Sequence, residues 1–167
     1  SDAFKKLNSY TNNASDSKVK VVWNSISTSL LDENLRKALE QIAGTENIRK
    51  NPTLTKLSTI DLSGRKIKSL QYLEVFCPSL NTIKVDNNQL SELDLSGYNN
   101  LMSVSASNNV ITYVDVADGN VITKLDVSNN QIPALPTQKL SKLKTLLCAN
   151  NYLEELYGNH LVSISKL

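Results

Sequence analysis

Few side chains in this sequence have the types and spacing that catalysis or metal binding needs. His160 is the sole histidine in 167 residues, which leaves neither a histidine-rich metal site nor a pair of imidazoles for acid–base work. Cys148 and His160 together would supply a nucleophile and its base, but Cys148 falls on a position that faces inward in the periodic pattern set out below. The run Asp115-Val116-Ala117-Asp118-Gly119-Asn120 superficially resembles a calcium loop. It lacks the alternating oxygen ligands and closing Glu of an EF-hand, and Val116 belongs to the apolar set, so it reads as a turn. There is no glycine-rich phosphate loop. The sequence therefore points to no enzyme, no cofactor and no metal. What remains is charge suited to recognition, concentrated in Lys84, Asp86, Lys124 and Asp126.

Those four residues lie inside a repeat. Asn88, Asn109, Asn130 and Asn151 recur 21 residues apart, each within the frame L-x-x-L-x-L-x-x-N-x-L. The copies are Leu80-Ile83-Val85-Asn88-Leu90, Leu101-Val104-Ala106-Asn109-Ile111, Ile122-Leu125-Val127-Asn130-Ile132 and Leu143-Leu146-Cys148-Asn151-Leu153, and a degenerate copy, Leu57-Ile60-Leu62-Arg65-Ile67, begins 23 residues earlier. The fourth and sixth positions, two apart, share one side of a short strand. The asparagine follows where the chain turns out of that strand. Its amide, both donor and acceptor, suits a buried ladder that satisfies turn backbone groups and its counterpart one coil away.

This frame is the sequence form of a leucine-rich repeat, whose coils stack around one shared core. The polar strand positions then form a concave face. There a ligand would meet Asp61, Lys84, Asp86, Ser105, Lys124, Asp126 and Leu147. The face has no Trp, Tyr or Arg, the types that dominate interface hot spots, so any affinity should be modest; the alternative is that these residues merely keep a sheet face soluble. On the convex side Leu93/Leu95 and Val114/Val116 alternate with polar residues and predict second short strands, with Gly97 and Gly119 turning the chain. Residues 69–76 read as a short helix ended by Pro78, and Pro133 and Pro136 predict an irregular extended segment. Tyr98 and Tyr113 fall in convex segments, and Tyr152 and Tyr157 are expected to cover the last coil.

Residues 57–153 resemble the bacterial surface leucine-rich repeat proteins, specifically the internalin-like group with 21-residue repeats. The phrases Thr123-Lys124-Leu125-Asp126-Val127-Ser128-Asn129-Asn130 and Leu93-Asp94-Leu95-Ser96 carry the resemblance. Similar repeats occur in cell-surface leucine-rich repeat lipoproteins of Bacteroidetes-type bacteria. Some relatives carry cysteine at the sixth position of many repeats; here Cys148 alone occupies it. The resemblance implies an α/β solenoid, a right-handed coil with a parallel concave β-sheet and an N-terminal helical cap. It further implies a non-enzymatic adhesion or recognition module, secreted or at the bacterial cell surface, holding a protein or glycan on the concave face. Two alternatives stay open: an intracellular adaptor or regulator, and a scaffold fragment of a larger multidomain enzyme.

The expected organisation is a polar N-terminal segment over 1–28, a helical cap over 29–56 and a solenoid over 57–167 of five repeats plus the start of a sixth. In the cap, Leu31, Leu35, Ala38, Leu39 and Ile42 form one stripe, so a helix should run from Ser29 or Asp32 to about Ala43, stopped by Gly44. Asp32-Glu33-Asn34-Leu35-Arg36-Lys37-Ala38-Leu39 resembles the cap phrase of the same family. In the first segment Lys18–Trp23 reads as a strand and Asp2–Tyr10 as a short helix. Formal charge is +2 overall, but residues 57–167 hold nine basic and ten acidic side chains, which does not supply the positive field nucleic-acid binding uses.

No apolar run approaches the ~18 residues of a bilayer span, although a lipid or wall anchor outside this chain is compatible with the sequence. A monomer is expected. Cys77 and Cys148 lie coils apart, at least ~14 Å by strand spacing, which exceeds the ~7 Å a disulfide tolerates, so two free buried thiols are predicted. The start at Ser1 fits a processed chain, and the stop within a sixth copy, at Ile164 and Leu167, fits a fragment.

Overall fold

The computed structural model describes residues 28–156. The elements expected over 2–10 and 18–23, the sixth copy, Tyr157 and His160 lie outside the described residues. The chain divides into two compact units, 1–30 and 31–167. Of the first, the described part is a single 3-10 turn, Thr28–Leu30. All that follows concerns the second.

Within the span expected to cap the solenoid lies helix α1, Glu33–Ala43. Asp32 is the residue that starts it: its Oδ1 accepts from the backbone N–H groups of Asn34 and Leu35, both at 2.9 Å, satisfying two of the first-turn donors that a helix leaves unpaired. Leu35, Ala38 and Leu39 are buried, as the stripe requires. Gly44 ends the helix at φ 68°, and the Thr45 N–H reaches back to the Glu40 carbonyl at 3.2 Å, a Schellman closure that needs a left-handed residue. A second helix, α2, Pro52–Thr55, follows. It was not among the expected elements, yet Asn51 as N-cap and Pro52 in the first turn are its ordinary start signals.

Five short strands form one parallel sheet in the order β1 (Thr59–Asp61), β2 (Thr82–Lys84), β4 (Ser103–Ser105), β6 (Lys124–Asp126) and β7 (Thr145–Leu147). Pairing is in register throughout: Ile60 lies opposite Ile83, Ile83 opposite Val104, Val104 opposite Leu125 and Leu125 opposite Leu146. The sixth-position column Leu62, Val85, Ala106 and Val127 is fully buried. Cys148, next in that column, is half-buried and follows β7, the last strand among the described residues. Each coil thus lends its aliphatic side chains to one continuous filling, and every fully buried one contributes about 1.5–3 kcal/mol.

On the opposite side β3 (Glu92–Leu95) and β5 (Tyr113–Val116) pair in parallel as a second, two-stranded sheet. The first coil instead carries α3, Leu73–Phe76, shorter than the span expected from 69. The proline-containing arc of the fourth frame holds a 3-10 turn, Thr137–Lys139. It is clamped where the Lys139 Nζ donates to Asp115 Oδ1 at 2.9 Å and to the Val116 carbonyl at 3.3 Å. Gly119 turns at φ 69°. Gly97 has a different reason to be glycine: a Cβ there would sit 2.9 Å from Glu74 Cγ.

Candidate functional site: the concave sheet face

Strand pleat and exact stacking decide what this face presents. Inward residues alternate with outward ones, and in-register pairing lines the outward ones into columns. One column reads Thr59, Thr82, Ser103, Lys124, Thr145; the next reads Asp61, Lys84, Ser105, Asp126, Leu147. Lys84, Lys124 and Asp61 are exposed, and Ser105, Asp126 and Leu147 are half-buried. The structure therefore brings all the strand residues singled out from sequence onto one surface. Within the described residues neither lysine side chain makes a hydrogen bond or ion pair.

The three aspartates differ in how they are held. Asp61 Oδ1 accepts from the Ser63 N–H and Asp126 Oδ1 from the Ser128 N–H, each at 3.0 Å. Hydrogen bonding to Ser63, side chain and backbone, holds the Asp61 carboxyl below its ordinary range, helped by the nearby Lys84 charge. Asp86 is engaged across coils: it accepts from Ser105 Oγ at 2.8 Å, from the Ser107 N–H at 2.7 Å and from Ser107 Oγ at 2.8 Å. Its carboxylate fastens the second coil to the third, leaving little of it for a ligand.

Beneath the face the asparagines connect successive turns. Asn109 Oδ1 accepts from the Leu90 N–H at 3.0 Å, and its Nδ2 donates to the carbonyls of Val85 at 3.0 Å and Ala106 at 3.2 Å. Asn130 repeats this on Ile111, Ala106 and Val127, and Asn151 on Ile132, Val127 and Cys148. Asn88 accepts twice, from the N–H groups of Arg65 and Ile67. These rungs run from side chain to backbone. The reach toward the counterpart asparagine is instead seen one residue earlier, where Asn150 Nδ2 donates to Asn129 Oδ1 at 2.7 Å.

That earlier column was missed by sequence reasoning. Asn87, Asn108, Asn129 and Asn150 all adopt φ between 55° and 57°, and Gly64 takes the place in the first coil at φ 69°. The signal was available: each ladder asparagine is preceded by another asparagine, the non-glycine residue that best tolerates the left-handed region.

Among the described residues, no group of three or more His, Cys, Asp or Glu could hold a metal ion, and no helix is long and apolar enough to cross a membrane. Cys77 and Cys148 are both free, and burial pushes the Cys77 thiol up to about 12.

No protein-family model and no curated protein matches the chain. Among solved structures it is similar to the functional domain of InlJ from Listeria monocytogenes, at 28% identity with a TM-score of 0.60 over 67% of this chain. The repeats are internalin-like. A second likeness is to the internalin InlF from the same organism, at 21% identity and a TM-score of 0.39, covering 59% of this chain and 36% of that one. This chain spans about a quarter, 25%, of the InlJ chain it matches. The InlJ domain includes a cysteine ladder; with two cysteines in all, these internalin-like repeats are held together by asparagine amides and aliphatic filling instead.

Proposed function

We propose that this solenoid is a non-enzymatic recognition module of a bacterial cell-surface or secreted protein, acting in adhesion as a monomer through its concave face. The ligand is a protein or a glycan. The observation that carries this reading is the in-register sheet that displays the exposed Lys84 and Lys124 side chains beside the Asp61 and Asp126 carboxylates. Coils locked by backbone pairing and asparagine rungs present these groups in fixed positions, so little ordering entropy opposes binding. Hydroxyl-bearing Ser103 and Ser105 stand between the two lysines and add hydrogen-bonding capacity rather than apolar grip. Moderate, salt-sensitive affinity follows from exposed charge of this kind.

The test compares the wild-type chain with the double variant Lys84→Glu/Lys124→Glu on a glycan array and on a panel of purified surface proteins. The expected result is that whichever probe the wild type holds is bound at least ~10-fold more weakly by the variant, corresponding to at least ~1.4 kcal/mol. Equal binding by both would remove the concave face from the reading.

A further inference from the structure

The strand side and the outer side of the coils differ in charge. In the second to fifth coils the strand segments, 79–88, 100–109, 121–130 and 142–151, hold four lysines and two aspartates. The outer arcs, 89–97, 110–118, 131–139 and 152–156, hold six carboxylates and a single cation, Lys139. That cation is already engaged, its Nζ lying 2.9 Å from Asp115 Oδ1 and 3.5 Å from Asp118 Oδ1. Glu92, Asp94, Glu154 and Glu155 are exposed, and the arcs contain no further lysine or arginine. Exposed aromatic rings lie on the same side. Tyr113, 56% exposed, stands opposite Glu92 in the β3–β5 pairing, one strand spacing or ~4.8 Å away. Tyr152 is exposed in the fifth arc.

Backbone bonds keep successive arcs in step: the Thr112 N–H donates to the Ser91 carbonyl at 2.9 Å, that of Gln131 to Ile111 at 2.9 Å and that of Glu154 to Pro133 at 3.4 Å. Glu92, Tyr113 and Glu155 therefore fall in one row, with Ala134 between the last two, over three coil spacings or ~14 Å. Carboxylates around an exposed ring favour a guanidinium or ammonium, the carboxylates through their field and the ring through a cation–π contact. Among the described residues no group of three or more carboxylate, thiol or imidazole side chains could hold a metal ion, so the charge suits a chain of cations. Four or five residues of extended backbone, at ~3.3 Å each, cover the row. We propose that the outer arcs of the second to fifth coils form a second docking surface, separate from the concave face, for an arginine- and lysine-rich segment of a protein partner. Tyr113 is its aromatic contact, and Glu92, Asp94 and Glu155 supply its charge.

The test is fluorescence anisotropy of a labelled hexa-arginine peptide titrated with the full chain at ~0.15 M salt. The wild type is expected to bind it. Tyr113→Ala, which leaves net charge unchanged, should weaken binding about 3-fold, and Glu92→Gln/Tyr113→Ala about 10-fold. Both side chains are exposed, so the variants should fold with the wild-type thermal midpoint. Glu46→Gln removes one exposed carboxylate from the loop after α1 and should change binding less than about 2-fold, because a distant surface charge is screened. No binding by the wild type, or a Tyr113→Ala loss no larger than that of Glu46→Gln, overturns the proposal. Sedimentation of the chain alone tests the rival occupant: a dimer dispersed by Glu92→Gln/Tyr113→Ala would assign the surface to a second copy and overturn the proposal, and a monomer supports it.

Discussion

Removing rungs of the asparagine ladder should destabilise the solenoid by amounts that depend on how its carbonyls are shared. The Val85 carbonyl accepts from both Asn88 and Asn109, and the Ala106 carbonyl from both Asn109 and Asn130. Asn109→Ala therefore leaves each carbonyl one donor and orphans one buried group, the Leu90 N–H. A buried donor without a partner costs about 1–3 kcal/mol, which is the loss expected here. Asn88→Ala strips the Arg65 and Ile67 N–H groups of their acceptor and the Leu62 carbonyl of its donor. Since the Arg65 N–H is only half-buried and can recover water, the expected loss is about 2–5 kcal/mol. Both variants leave the same small void, so the difference between them is better determined than either value. Urea unfolding at unchanged m-value gives the two midpoints. If Asn88→Ala proves equal to or milder than Asn109→Ala, the assignment of cost to orphaned backbone groups is wrong.

Two other perturbations test separate parts of the coil. Gly97→Ala should lose about 1–2 kcal/mol by overpacking against Glu74, and most of that loss should vanish in the background of Glu74→Ala; additive losses in a double-mutant thermal series would refute the contact. Asn108→Val should cost about 1–2 kcal/mol in urea unfolding because a β-branched residue resists the left-handed region, whereas Asn108→Gly should be within a few tenths of neutral; equal losses would refute the conformational reason.

The repeat frame was legible because every core-facing position is fixed by two periods at once, that of the strand and that of the coil. Ile83, Val104, Leu125 and Leu146 pair in register as that double period demands. The start of α1 was legible as Ser29 or Asp32, of which Asp32 is the N-cap, and its end from Gly44, since Asp32 and Gly44 each carry a local backbone requirement. Tertiary relations were harder to read. Gly97 looks like any turn glycine in sequence, and the neighbour that excludes a side chain, Glu74, lies on the preceding coil. Tyr98 looks like a convex surface aromatic but is buried beside that same glutamate, while Tyr113 and Tyr152 are exposed, Tyr152 by 69%, so Tyr152 does not cover the last coil as expected. Among the candidate ligand contacts, Asp86 was indistinguishable from Asp61 and Asp126 until stacking placed Ser105 and Ser107 against it.

The first coil is two residues longer than the others, 23 against 21, yet Thr59 still meets Thr82 and Asp61 still meets Lys84. The surplus is taken up along the outer arc, where α3 replaces an extended segment. A graft of foreign sequence at exposed Gln71, with the buried Leu70, Leu73 and Phe76 kept, would therefore leave the displayed array intact, while the same insertion between Thr82 and Asn88 would shift every side chain beyond it. Lengthening the array itself demands duplication of an entire turn, which makes this molecule a candidate for modular extension in whole units.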